Sequence, residues 1–141
     1  MIKEIEIKSK GYNDLIETIY FGGGTPSFFD TIEINKIINS IFSKFKISSN
    51  PEITLEANPD DLSKVKLKEL SNSFINRLSI GVQSFNDKEL KLMNRSHNSK
   101  EAKNCIDSAL KYYENISIDL IFGMPNSNLK TWESCLLYTS D

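Results

Sequence analysis

Arg77-Leu78-Ser79-Ile80-Gly81-Val82-Gln83 alternates strictly along its length. In an extended chain Leu78, Ile80 and Val82 fall on one side, and Ser79, Gly81 and Gln83 on the other. The pattern recurs on both sides of this stretch. Upstream, residues 52–57 set Ile53 and Leu55 against Thr54 and Glu56; downstream, residues 116–122 set Ile116, Ile118 and Leu120 against Ser117 and Asp119. Helix-period blocks separate these strands, and strand–helix alternation predicts βαβ units and a parallel sheet. Parallel sheets covered by helices on both faces read as unbroken apolar runs. Here only one face is apolar. Either the sheet is half exposed with a wet face, or it is all or part of a barrel with a polar lumen. Helices on the outside favour the second reading. The expected fold is α/β, an incomplete parallel (βα) barrel of about four strands with outer helices.

The other segments complete this outline. Residues 1–10 read as the end of a helix and residues 18–22 as the first strand. Asp30-Thr31-Ile32-Glu33 has the form of a capping box. Behind it Ile34, Ile37, Ile38, Ile41, Phe42 and Phe45 form one apolar stripe at helical spacing. Asn50-Pro51 is read as a break before the second strand. Asn58-Pro59-Asp60 is read as ending that strand and capping a short helix with Leu62, Val65, Leu70 and Phe74. Residues 99–113 predict a further helix, with Ala102, Cys105, Ile106, Ala109, Leu110 and Tyr113 on one face. Gly123 and Pro125 close the fourth strand, and a last helix starts near Leu129.

The chemistry gathers at one end of the strands. Ile19-Tyr20-Phe21 runs straight into Gly22-Gly23-Gly24-Thr25-Pro26, and glycine there permits positive φ and close approach of a ligand to bare amides. By itself this is either a tight turn or a cradle for an anion or zwitterion. Glu56, Gln83 and Asp119 sit late in their own strands, and in (βα) barrels the C-terminal strand ends form the active face. Arg95 follows the third strand by a dozen residues. With 15 lysines and two arginines in the chain, an arginine there suggests a planar fork for a carboxylate, against the plainer reading of a helix-end cation. Arg77, at the opposite end of its strand, is read as structural. His97, the only histidine, is read as a solvated loop residue, Cys105 as a core thiol, and Trp132 and the phenylalanines as core.

Composition excludes several classes. The net charge of −2 is spread along 141 residues, so no nucleic-acid or membrane-surface field is implied. The N-terminus lacks the apolar core of a signal peptide, and no stretch approaches the roughly 18 apolar residues of a membrane span. Two cysteines, Cys105 and Cys135, match neither a disulfide framework nor a metal spacing. A cytoplasmic location is the expectation.

Three motifs together resemble the radical S-adenosylmethionine (radical SAM) proteins. They are Tyr20-Phe21-Gly22-Gly23-Gly24-Thr25-Pro26-Ser27, Leu78-Ser79-Ile80-Gly81-Val82-Gln83-Ser84-Phe85 and Ile118-Asp119-Leu120-Ile121-Phe122-Gly123-Met124-Pro125. Within that superfamily the chain is most similar to the oxygen-independent coproporphyrinogen III oxidase-like family. Ser84, where the decarboxylating oxidases tend to carry Asp, and Arg95-Ser96-His97-Asn98 resemble its heme chaperone branch. The resemblance implies S-adenosylmethionine as cofactor. Gly23, Gly24 and Thr25 would meet its methionine end through backbone groups, and Glu56, Gln83, Arg95 and Asp119 would surround its ribose and amino-acid moiety. It also implies a 4Fe-4S cluster that splits the cofactor to a 5′-deoxyadenosyl radical, and heme or a porphyrinogen as partner.

One departure matters. The family's CxxxCxxC motif precedes the glycine triplet, yet no Cys occurs among the 21 residues before Gly22. The expectation is therefore a fragment whose Met1 is internal to a longer parent and which is inactive alone, with residues 1–136 a partial radical SAM core domain. Residues 137–141 are expected to be a non-native tail. Two alternatives stay open: a parent that is a true coproporphyrinogen oxidase, and a dinucleotide-binding domain with the triplet as phosphate loop and Glu56 on a ribose. Against the latter, Ser27 occupies the third fingerprint glycine's place.

Overall fold

A computed structural model describes residues 1–125 and 127–137. It places four strands in one parallel sheet: β1 (Leu15–Phe21), β2 (Lys46–Ala57), β3 (Arg77–Gln83) and β4 (Ile116–Leu120), in the spatial order β1-β2-β3-β4. Helix α1 (Ile2–Lys8) precedes the sheet. The crossovers carry α2 (Thr31–Lys44), α3 (Lys64–Ser71), and the pair α4 (Asp87–Leu92) and α5 (Ser99–Ala109); α6 (Leu129–Leu137) follows β4. A doubly wound sheet reverses its strand order at a switch point. This one advances without reversal, as a barrel wall does, and forms an open arc with β1 and β4 at its edges.

Helices cover one face of the arc. Ile53, Leu55, Leu78, Ile80 and Val82 from the strands pack with Ile34 and Ile38 of α2, Leu67 and Leu70 of α3, and Ala102, Cys105, Ile106 and Ala109 of α5. These are the apolar halves of each alternating strand and the stripes of each helix. The opposite face carries the small polar set in register. Glu56 sits beside Ser79, and Ser79 beside Ser117. Arg77 braces the lower end of that face. Its guanidinium donates to Thr54 Oγ1 at 3.2 Å and Ser117 Oγ at 3.1 Å, and lies 3.8 Å from Glu52.

Several local expectations are corrected. Asn50-Pro51 does not end a segment. β2 runs through it from Lys46, and the break appears as a register shift against β1, between the pairs Ile16–Ile47 and Thr18–Glu52. A bulge accommodates a residue without an N–H to donate. The Asp30 capping box does not form, because the Glu33 amide already bonds the Asp30 carbonyl at 2.9 Å and the Glu33 carboxylate turns to Lys36. A box closes instead at Asn98 and Glu101, opening α5. Asn58-Pro59-Asp60 leads into a short 3-10 turn, Pro59–Asp61, and Ser63 is the residue that caps α3. That helix buries Leu67 and Leu70 and leaves Val65 out. β4 stops at Leu120, although the Ile121 amide still reaches the Gln83 carbonyl at 2.9 Å. Helix α4 had no periodic signal long enough to read. Phe28, Phe29, Phe74 and Phe122 are exposed, not core, and Trp132 packs edge-to-face on Phe122 at the surface. Residues 138–141 of the expected tail lie outside the described residues.

Leu78 is fully buried in the centre of the sheet while Val65 is 67% exposed. Leu78→Ala is expected to lower the unfolding free energy by about 3 kcal/mol and Val65→Ala to change it by less than about 0.5 kcal/mol in urea titrations. Equal effects would contradict this packing.

Burial, with a smaller contribution from the Asp60 carboxylate, pushes the Cys105 thiol up to about 11. A group whose folded value is raised adds stability below its unfolded value and loses it as pH climbs to the folded one. The corresponding stability is therefore present up to the ordinary thiol range and lost on the way to about 11. At pH near 8 the folded chain should alkylate at Cys105 far more slowly than the urea-unfolded chain, as followed by peptide mass mapping. Equal rates would show an accessible thiol.

Candidate functional site

At the C-terminal ends of the strands the polar face opens into a cleft of about 240 Å³. Six of the seven residues singled out from the sequence line it: Gly24, Thr25, Glu56, Gln83, Arg95 and Asp119. The seventh, Gly23, lies just outside and contributes through its amide, which donates to Glu56 Oε2 at 2.9 Å. β1 delivers the glycine loop, β2 Glu56, β3 Gln83 and β4 Asp119. The loop between α4 and α5 delivers Arg95.

The glycine loop requires its glycines for two different reasons. Gly23 and Gly24 hold φ of +80° and +65°, a region that glycine enters without steric cost. Nothing lies within 4 Å of where a Cβ on Gly24 would be, so its backbone fronts open space in the cleft. Gly22 leaves room for its neighbours. A Cβ there would come within 2.7 Å of the Tyr20 ring and 2.9 Å of Glu56 Oε1. The loop continues into a 3-10 turn, Pro26–Phe28, and α2 begins only at Thr31. Among the described residues no α-helix opens directly after the triplet, as it does behind a dinucleotide phosphate loop.

Glu56 is held on both oxygens: Tyr20 donates its hydroxyl to Oε1 at 2.8 Å, and Gly23 its amide to Oε2. The bond to Glu56 raises the Tyr20 phenol above its ordinary value, so the phenol stays a proton donor. Ser79 donates to both oxygens of Asp119, at 3.3 and 3.2 Å, and receives a bond from Ser117. Both carboxylates are thus oriented by neighbours and keep lone pairs for hydroxyls or an ammonium. Arg95 makes one long hydrogen bond, 3.4 Å from Nη1 to Asn58 Oδ1. Among the described residues no ion pair takes up its fork, which fits a waiting carboxylate.

Gln83 holds a positive φ of +71°, uncommon outside glycine. The Ser84 amide turns back to the Val82 carbonyl at 2.9 Å, closing a three-residue turn around Gln83. A Cβ on Gly81 would come within 2.7 Å of the Gln83 side-chain nitrogen, so glycine there makes room for the amide.

Sequence reading missed Asn58, taken as a strand terminator, and Ser79, whose part was hidden in a generic alternation; both line the cleft. His97 was misread. It is 3% exposed, with Nε2 on the Val82 carbonyl at 3.1 Å. Ser84 lies away from the cleft, buried, donating to Glu89 Oε2 at 2.5 Å with the Cys135 sulfur 3.8 Å off.

Metal chemistry finds no donor set. Among the described residues no group of three or more His, Cys, Asp or Glu is placed to hold an ion. An iron–sulfur cluster is held by several thiolates. The two cysteines of this chain are buried on separate helices, one in the core and one receiving the Phe85 amide at 3.4 Å. They do not fit it. No helix among the described residues is long and apolar enough to cross a membrane.

Comparison with known proteins agrees with this architecture. Residues 2–138 match the radical SAM superfamily. The chain is 43% identical over 118 residues to the heme chaperone HemW of Buchnera aphidicola subsp. Acyrthosiphon pisum, covering 84% of this chain and 31% of that protein. It is likewise 43% identical over 129 residues to the heme chaperone HemW of Bacillus subtilis, covering 90% and 34%. Among solved structures, coproporphyrinogen III oxidase (HemN) from Escherichia coli, a radical SAM enzyme, superposes with a TM-score of 0.85 at 25% identity. That match covers 98% of this chain and 32% of the enzyme. The chain spans about a third of the length of the curated relatives it matches. Its motifs, its sequential parallel sheet and these matches lead to one conclusion: this chain belongs to the radical SAM superfamily.

Proposed function

We propose that this chain supplies the S-adenosylmethionine-binding wall of a heme-chaperone-type radical SAM protein. The observation that supports the reading is the convergence of Gly24, Thr25, Glu56, Gln83, Arg95 and Asp119, from five segments, on one polar cleft. The chemistry of the cofactor matches these donors. Its α-carboxylate suits the open fork of Arg95, its ammonium suits carboxylate and backbone carbonyl oxygens, and its ribose hydroxyls suit acceptors such as Glu56 and Asp119. Gly23 and Gly24 let backbone groups approach without side chains between. Bound here, S-adenosylmethionine would supply radical chemistry to the whole protein. This chain's residues bind and orient the cofactor and take no part in holding the metal. Heme as the cargo of the whole protein is carried by the similarity to the two HemW relatives. A porphyrinogen as substrate is the second reading, favoured by the structural likeness to the coproporphyrinogen oxidase. Residues 1–136 are read as the partial core domain and residues 137–141 as outside it.

Calorimetric titration of the chain should show binding of S-adenosylmethionine and none of NAD. Arg95→Ala should weaken that binding at least tenfold, since a hydrogen-bonded charge contributes about 1.5–3 kcal/mol. Binding of NAD, or an unaffected Arg95 variant, would overturn the assignment. Reconstitution of the chain with iron and sulfide should leave no stoichiometric 4Fe-4S cluster by absorbance and iron analysis. A stable cluster on this chain would show that its thiols are arranged otherwise.

A further inference from the structure

His97 stands where three segments that carry cleft residues meet: the end of β3, the turn after β2 and its own loop. A carbonyl oxygen only accepts, so the 3.1 Å contact to Val82 places the proton on His97 Nε2. Val82 O thereby accepts twice, from His97 and from the Ser84 amide that closes the turn around Gln83. No hydrogen bond reaches Nδ1 within the buried ring, and Asp60 Oδ2 lies 3.6 Å from it. Asp60 belongs to the 3-10 turn that begins one residue after Asn58, the partner of Arg95. His97 itself stands two residues beyond Arg95.

The loop carrying Arg95 and His97 is tied at both ends. Asn94, at φ +53°, follows the end of α4, and the Arg95 amide returns to the Leu90 carbonyl at 2.9 Å. On the other side the Asn98–Glu101 box opens α5, and the Ser99 amide donates to Asp87 Oδ1 at 2.8 Å. Between these ties, the described bonds that fasten the loop to the sheet and to the Asn58 turn are His97 Nε2 to Val82 O and Arg95 to Asn58. A buried imidazole in this place is more than core filling. An apolar residue of similar size would leave Val82 O with one partner.

We propose that His97 is a positioning residue for the cleft: through the Val82 carbonyl it holds Gln83 in its left-handed conformation, and through its own loop it keeps Arg95 in register with Asn58. The role deepens the cofactor-binding reading and rests on it for its purpose, but not for its geometry.

The chain's composition supplies the test, because its two arginines give two guanidinium Nε–H signals in an isotopically labelled sample. Arg77, anchored to Thr54 and Ser117 at the far end of the sheet, is the internal control. His97→Ala should displace or broaden the Arg95 signal and leave that of Arg77 in place. His97→Gln, whose amide N–H can take the position of Nε2, should restore it. His97→Leu, close in size and without a donor, should displace the same signal and decides the matter if His97→Ala does not fold. S-adenosylmethionine affinity should fall about tenfold in His97→Ala, the order seen for outer-shell partners of binding groups, and recover in His97→Gln. An unmoved Arg95 signal, equal displacement of Arg77, or failure of Gln to restore it would overturn the proposal. If the wild-type chain binds no S-adenosylmethionine while the Arg95 signal behaves as expected, the cofactor reading falls and the positioning role stands.

Discussion

Polar groups withdrawn from water must bond one another, and that constraint organises the inner face of this sheet. Thr54 and Ser79 are nearly inaccessible though no helix covers them. They are satisfied by a lattice of short side chains and one arginine: Arg77 on Thr54 and Ser117, Ser117 on Ser79, Ser79 on Asp119. The lattice begins at the Arg77 guanidinium and ends in two oriented carboxylates, Glu56 and Asp119, at its upper end. The cleft at the strand C-termini is where that chain of bonds ends.

The same face explains why so much of the arrangement was readable beforehand. Period-2 alternation reports which side of a strand each residue takes, and a one-residue error would turn every apolar side chain to the wrong face. Leu78, Ile80 and Val82 could therefore be assigned to the core and Gln83 to the rim with no structural information. The rim position of Glu56, Gln83 and Asp119 followed from counting along each strand, and the glycines from the turn chemistry they permit.

What was not readable depends on distance in sequence. Nothing local marks Asn58 as Arg95's partner, because the two are brought together only by the packing of the Asn58 turn beneath α5. His97 looked like a solvated residue because composition says nothing of a carbonyl at the end of another strand. The Asp30 box failed for a backbone reason: the amide it needed was already bonded. Pro51 was overread because a proline ends a regular ladder but not a bulged one.

Strand order has a last consequence, for how the chain is made. Each of β2, β3 and β4 pairs with the strand that immediately precedes it in sequence. No segment must wait for a later one to fill a gap in the sheet. As the chain leaves the ribosome, every new strand finds its template already in place, and each βα unit seals the apolar edge of the one before. Pairing neighbours only keeps the loops that must close short, which speeds assembly relative to a sheet whose order reverses. The arc can be built in the direction in which it is translated.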